Sequence, residues 1–520
     1  MVNPSSLLPP WPPAPLAPPY AVTDIVRLPT EPVSPSPDLE TIEARLVFLD
    51  WFDREVSVFA RRSHPRQAPN GAAVLHIVGG AQTIHPGDLA VWTAQGYAAA
   101  SFDWQLTGVG NRPPERTSRF PAELVPQNAP TRSLRAANLP VALQAAAVCL
   151  DWLARAPGVD PACLGVVGIS WGGYLAWLLA AYDPRVRVLV PAFGCGGLFA
   201  PGRRVADHAP DVLAYWKTHW DPAALGPHIT APVCYLNGTN DFFGDPLVAE
   251  ELLATLRVPH IRHYLPNVDH SLDPAQTRLA SAWLRQHLLD GPPVPATPDL
   301  TDADPADLWW TEDLELPSKF RCWLPGPPPD HPHLAFAHQR VGDLTLSTAI
   351  GRMPAAVSSS ADDGLRFGLG WRWELGSTRH FSHDASATPP ASPGQPWQIT
   401  PARPDTADPV SLLLHPSRRF LATLVPGALL PLPWSVEPID RVVKIQLYLL
   451  PHGLSTHETM VSWDAATASL LLNLAAFPDI PPDFAWTSVG CIQLTAHQPR
   501  APFTVGPLLN GYGGRQDQNA

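Results

Sequence analysis

Residues Val166 to Tyr174 read Val-Val-Gly-Ile-Ser-Trp-Gly-Gly-Tyr, with an apolar run (Cys163 to Val167) leading in and a helix-like run (Tyr174 to Ala181) leading out. A Gly-x-Ser-x-Gly between a strand and a helix turns so sharply that the serine backbone is strained and its neighbours must be small. Gly168 and Gly172 supply that room, and Gly173 lets the helix close on the strand. A structural loop matching the pattern by chance would not need a buried strand on one side and a helix on the other. Ser170 is therefore the candidate nucleophile, and a chain carrying this turn must build a sheet covered by helices.

The length, 520 residues, exceeds what one ordinary core accommodates, so two domains are expected. Hydrophobic residues make up 45% and charged residues 16%, a globular balance. The net charge of −12 comes from 47 acidic against 35 basic residues with no basic stripe, which excludes nucleic acid as a partner. Six scattered cysteines form no disulfide framework and no Cys-x-x-Cys metal motif. The first arginine is Arg27, prolines interrupt the early apolar residues, and no run reaches membrane-spanning length. These features predict a soluble, cytoplasmic protein without a membrane partner, or an exported one if a leader precedes the sequence; nothing in them fixes the oligomeric state.

Residues 1–40 are proline-dense (Pro9, Pro10, Pro12, Pro13, Pro15) and predict an extended arm. Over 41–291 a hairpin pattern (Glu43 to Phe48, Glu55 to Arg61) gives way to alternating strands and helices. Strands are expected at Ala72 to Val78, Tyr97 to Phe102, Cys163 to Ile169, Val186 to Phe193, Val233 to Leu236 and Ile261 to Tyr264. Helices are expected at Gly87 to Gln95, Asn138 to Ala156, Pro246 to Leu256 and Pro274 to Leu289. Short strands apolar on both faces, alternating with helices, predict an α/β fold with a doubly wound, mostly parallel sheet. Residues 292–310 read as a linker, 311–510 as a β-rich, sandwich-like domain, and 511–520 as a tail. Within that second domain Ala385 to Pro409 reads as an exposed loop.

A serine hydroxyl needs a base to take its proton, and the base needs an acid to orient it. After an elbow of this kind the acid follows a late strand and the histidine follows the last one. Asp241 lies in Asn237-Gly-Thr-Asn-Asp-Phe-Phe243 after one late strand, and His270 in Leu265-Pro-Asn-Val-Asp-His-Ser271 after the last. The expected triad is Ser170, Asp241 and His270. Asp245 competes for the acid role but directly precedes Pro246, as a helix N-cap would. Asp269 adjoins His270 too closely to orient it, and His260 and His263 lie before or within the last strand.

An oxyanion needs two backbone donors. The amide of Trp171 follows the nucleophile, and Gly80, in Val78-Gly-Gly-Ala-Gln82, is the expected second donor, with Gly79 or Ala81 as alternatives. Two insertions, Trp104 to Thr131 and Leu198 to Ile229, follow strand ends and are aromatic-rich. Trp104, Phe242 and Trp216 are the expected substrate-binding aromatics, each weighed against plain core packing.

The elbow, Val190-Pro-Ala-Phe-Gly-Cys-Gly196, the Asp241 loop and the Asp-His pair together resemble the acetylxylan esterase-like and dienelactone hydrolase/prolyl oligopeptidase-like branch of the α/β-hydrolases. The resemblance covers about residues 42–290. It implies ester hydrolysis through an acyl-enzyme, commonly on acylated carbohydrate, without a cofactor. Relatives often carry His-Gly-Gly in the oxyanion loop, where this chain has Val78-Gly79-Gly80.

The resulting expectation is a serine carboxylesterase acting on an acetylated carbohydrate or a small acyl ester. A prolyl oligopeptidase-like peptidase and a non-catalytic carbohydrate-binding or scaffold protein are the alternatives. The residues from 292 onward hold nine of the 19 tryptophans, which would either stack on sugars or fill a sandwich core. His331, His333 and His338 share one segment without a carboxylate at ligand spacing, so no metal is assigned.

Overall fold

Five-residue strands made only of small and apolar side chains cannot face water on either side. Ala73–Ile77 and Ala98–Phe102 are buried along their whole length, the signature of a sheet sandwiched between helices. The structure is a computed structural model. It describes residues 22–28, 38–66, 69–80, 82–106, 116–127, 129–198 and 208–312, the stretch 314–353 with short gaps, and beyond it mainly strands between Leu365 and Gly511.

Nine strands form the main sheet: β1 (Val22–Leu28), β2 (Leu39–Leu49), β3 (Glu55–Pro65), β4 (Ala73–Ile77), β5 (Ala98–Phe102), β6 (Leu164–Ile169), β7 (Val186–Ala192), β8 (Val233–Gly238) and β9 (His260–Leu265). Their order is β1-β2-β3-β5-β4-β6-β7-β8-β9. The first three strands pair antiparallel and β3 meets β5 antiparallel; every pair from β5 to β9 is parallel. The helices are α1 (Pro86–Thr93), α2 (Asn138–Ala154), α3 (Trp171–Tyr182), α4 (Pro210–His219), α5 (Pro222–Leu225), α6 (Pro246–Thr255) and α7 (Pro274–Leu289).

Side chains alternate across the sheet. Ala73, Leu75 and Ile77 join a core with α2, α3 and α6, whereas Val74 joins the opposite core with Leu89 and Trp92 of α1 and Trp283 of α7. The helix starts follow from their caps. Asp245 accepts the Leu247 amide at 2.9 Å to start α6, and Asp273 with Gln276 forms a capping box on α7. Gln276 also donates to the carbonyls of Asn237 and His263, both at 2.9 Å, so the start of α7 is tied to β8 and β9.

The structure differs from the sequence expectations in three places. β1 lies inside the segment read as an arm and forms the antiparallel edge of the main sheet; residues 1–21 and 29–37 are outside the described part. The stretch from Leu308 onward forms its own small sheet of β10 (Leu308–Thr311), β11 (Leu324–Pro325), β12 (His333–Val341), β13 (Leu344–Ser347) and β14 (Gly351–Met353). Trp323 and Phe336 of this sheet region belong to the same apolar core as α2 and α3, so it packs on the α/β unit rather than standing apart. Finally, Ala385–Thr388 and Trp397–Pro401 pair antiparallel where an exposed loop was expected. Farther on, Pro409–Pro416 pairs antiparallel with Val489–His497, which in turn pairs with Val442–Leu449. Phe420 to Val425, whose sequence also reads as a strand of this β-rich region, falls outside the described residues.

Candidate active site

Ser170 sits between β6 and α3 at φ 60° and ψ −124°, a conformation a non-glycine residue holds only when its surroundings enforce it. The enforcement is visible on both sides. A Cβ on Gly172 would run into the Ile77 and Val78 carbonyls, and one on Gly168 would strike the Gly172 carbonyl. The Ser170 amide donates to the Ala192 carbonyl at 3.0 Å, and its own carbonyl accepts the Tyr174 amide at 3.0 Å to open α3. Ser170 itself is partly exposed.

The loops after β8 and β9 bring Asp241 and His270 together. His270 Nδ1 lies 2.5 Å from Asp241 Oδ2, and both side chains are buried. The other carboxylate oxygen accepts the Phe243 amide at 2.7 Å and the Gly244 amide, so neither oxygen of Asp241 lacks a donor. Asp269, set aside as the acid, instead joins the two loops, its Oδ1 accepting the Phe242 amide at 2.9 Å. Asp245 is the cap of α6. His263 is buried in β9, and His260 binds the Val258 carbonyl at 3.1 Å.

Three phenylalanines surround the His270 ring. Phe193 lies 4.2 Å away between ring centroids, Phe242 4.8 Å and Phe243 6.1 Å, the last edge-on. Phe242 is thus beside the His270 ring. Phe193 belongs to the quoted Val190–Gly196 motif, and its backbone, at φ 67°, is as unusual as that of Ser170. Sequence reasoning gave it no role. An aromatic residue followed by Gly194, directly after a parallel strand, was the available signal.

The other two expected pocket aromatics are corrected by burial. Trp104 is fully buried and its indole N–H donates to the Val78 carbonyl at 3.0 Å. Trp216, 2% exposed, donates to the Tyr174 hydroxyl at 2.7 Å. Both complete the core, because an indole N–H that finds an internal acceptor can be buried without loss. Trp171 remains partly exposed and packs on Phe243, with centroids 4.8 Å apart.

The loop after β4, Val78 to Gly80, passes close to the elbow. A Cβ on Gly80 would stand 2.7 Å from Trp171 Cδ1, so a side chain there would force the indole to shift, and one on Gly79 would stand 3.1 Å from Ser170 Cβ, a tight fit. The Gly79 amide donates to Gln82 Oε1 at 2.8 Å. Ala81 falls outside the described residues. Among the described residues no group of three or more His, Cys, Asp and Glu is arranged to hold a metal ion.

Residues 128–281, which contain the elbow and both later loops, match the dienelactone hydrolase family. With the sheet order and the strained serine, this match defines the first part of the chain as an α/β-hydrolase. Those residues are similar to the dienelactone-hydrolase-like branch of that fold. No curated protein matches the chain. Similar solved structures include an acetyl xylan esterase from Paenibacillus sp. R4, 16% identical with a TM-score of 0.40, over 51% of this chain and 88% of that one. Acetyl xylan esterase 1 from Thermoanaerobacterium sp. JW/SL YS485 is also 16% identical, with a TM-score of 0.39, over 50% of this chain and 86% of its own. A puromycin-hydrolyzing peptidase of Mycobacterium tuberculosis is 16% identical with a TM-score of 0.38, over 49% of this chain and 41% of its own.

Proposed function

We propose that this chain is a serine carboxylesterase in which Ser170 is the nucleophile, His270 the general base and then acid, and Asp241 the orienting carboxylate. The observation that carries the reading is the 2.5 Å contact between His270 Nδ1 and Asp241 Oδ2, on the two loops that follow the last strands of an elbow-bearing sheet.

Asp241 accepts the Nδ1 hydrogen bond of His270, so the basic lone pair lies on Nε2, the nitrogen that accepts the serine proton. Ser170 Oγ adds to the ester carbonyl, and the oxygen that becomes negative is held by the Trp171 and Gly80 amides. Each such donor contributes about 2.7–4 kcal/mol to the transition state. Collapse breaks the bond to the alcohol oxygen, which leaves with the proton held on His270 Nε2. Water then adds to the acyl-enzyme, again giving a proton to His270, and collapse returns that proton to Ser170 as the acid departs. No cofactor enters any of these steps.

An ester is favoured over a peptide because binding a peptide amine calls for carboxylates near the pocket, and neither insertion carries a Glu-Glu pair. A small acyl ester or an acetylated carbohydrate is the proposed substrate class. The antiparallel pairing of Pro409–Pro416 with Val489–His497 supports reading the later residues as an all-β, sandwich-like domain.

Hydrolysis of p-nitrophenyl acetate by wild type and Ser170→Ala tests the reading. A loss on the order of 10³-fold or more in the variant is expected. Equal rates would sink it, leaving the α/β unit as a binding scaffold.

A further inference from the structure

The loops that carry Asp241 and His270 are not closed by the α/β unit alone. Ser318 Oγ donates to the Asp241 carbonyl at 2.7 Å. The Arg321 carbonyl accepts from Asn240 Nδ2 at 2.6 Å. Trp323 is held twice by Asn267, its amide donating to Oδ1 and its carbonyl accepting from Nδ2, both at 2.7 Å.

Thr239 joins these contacts into one chain. Its hydroxyl accepts the Asn267 amide at 2.7 Å and donates to Asn240 Oδ1 at 2.8 Å. A continuous path therefore runs from Trp323 through Asn267, Thr239 and Asn240 to Arg321. All five residues of the path, and Ser318, are buried. A buried amide that loses its partner is costly, so each loop keeps this shape only while the others do. The path does not touch the Asp241 carboxylate, whose oxygens are taken by His270 and by the amides of Phe243 and Gly244. It fixes the backbone from which the carboxylate and the imidazole are hung.

We propose that Ser318, Arg321 and Trp323 form an intramolecular strap that holds the acid and base loops in register, with Asn267 and Ser318 as positioning residues for catalysis. The inference rests on the esterase reading and adds that the site is incomplete without residues beyond the α/β unit. Asn267 anchors the strap at φ 55°, so a test should keep that backbone accessible; glycine does so while deleting the amide.

The experiment measures kcat and KM on p-nitrophenyl acetate for the full chain carrying Asn267→Gly, Ser318→Ala or Ser318→Thr, with circular dichroism as the check on folding. Misplacing a catalytic group by about 1 Å costs about 10²-fold, so Asn267→Gly should lose kcat on that order while KM changes far less. Ser318→Ala should lose less, and Ser318→Thr, which keeps the hydroxyl, should restore the rate. Wild-type kcat in folded Asn267→Gly overturns the strap. If Asn267→Gly does not fold, the serine pair decides. A kcat loss in Ser318→Ala that Ser318→Thr restores supports the strap, and wild-type kcat in Ser318→Ala overturns it. Ser170→Ala run in parallel separates the two failures: a fully active Ser170→Ala overturns the esterase reading itself, whereas an inactive one with active strap variants overturns the strap alone.

Discussion

Phe193 holds its backbone at φ 67° and lays its ring 4.2 Å from the imidazole of His270, centroid to centroid. A left-handed phenylalanine costs about 1–3 kcal/mol and persists only when its surroundings over-determine it. Here the Phe193 amide donates to the Leu236 carbonyl at 2.9 Å, and its carbonyl accepts the Tyr235 hydroxyl at 3.2 Å. Phe242 packs against the same imidazole at 4.8 Å. An aromatic contact of this kind contributes about 0.5–1.5 kcal/mol. Phe193→Leu keeps most of the buried volume and loses the ring, so kcat should fall about 2–12-fold, with a stability loss of about 0.5–1.5 kcal/mol. Unchanged kcat would make Phe193 a packing residue only.

Asparagine at position 241 should be far worse than its similar shape suggests. Two amides, from Phe243 and Gly244, point at Oδ1. An amide side chain must turn its oxygen toward those donors, which aims its NH₂ at His270 Nδ1. The imidazole is then forced into the tautomer with its proton on Nε2, where it cannot accept one from Ser170. Asp241→Asn should lose on the order of 10⁴-fold in kcat while remaining folded. A loss of only a few-fold in steady-state kinetics would contradict the acid role of Asp241.

The elbow was legible because its constraint is steric and local: two glycines and a serine suffice to require the strand, the turn and the helix. Asp241 and His270 could be placed because chain order in such a sheet is fixed, and Asp245 could be read as a cap because Pro246 follows it. The strap was not legible. Its bonds run between side chains and backbone groups such as Asp241 and Ser318, 77 residues apart, and leave no periodicity to detect. β12, His333–Val341, was hidden behind the proline-rich entry that precedes it. Trp104 stood at a strand end and suggested a pocket wall. The Val78 carbonyl that accepts its indole N–H explains why the indole can be buried whole.

The contact between α3 and β4 sets the tolerance of the elbow. A Cβ at position 172 would meet the backbone carbonyls of Ile77 and Val78, which cannot swing aside as a side chain would. Gly172→Ala should therefore force α3 off the sheet, destabilising the protein by about 1–3 kcal/mol or more. It should also move the Gly79 and Gly80 loop relative to Ser170. Urea unfolding gives the first effect and kcat on a small ester the second. A folded, fully active Gly172→Ala would mean that the sheet yields here more than its carbonyls suggest.

Acid should weaken the fold through histidines on β9 and β12. His263 is buried with its ring 5.3 Å from that of His338. Burial pushes the pKa of His263 well below its usual 6.5, and His338 and Arg278 add to the effect. Burial also lowers His338, although its bond to the Tyr264 carbonyl and the charges of Asp307 and Asp273 oppose this, while Arg340 reinforces it. A histidine with a lowered native pKa binds its proton first in the unfolded chain. Its contribution is therefore complete above the ordinary value near 6.5 and is lost as the pH falls from there toward the native one, by at most about 1.4 kcal/mol per pH unit for each ring. Glu250, raised by burial, works in the opposite direction, but it is present in every variant and cancels in a difference. His338→Gln keeps a donor for the Tyr264 carbonyl and removes one titrating ring. Urea unfolding at about pH 7.5, 6.5 and 5.5 should show wild type losing stability more steeply than His338→Gln by up to one proton's worth of slope. Parallel slopes would mean that His338 takes up its proton equally well in the folded and unfolded chain.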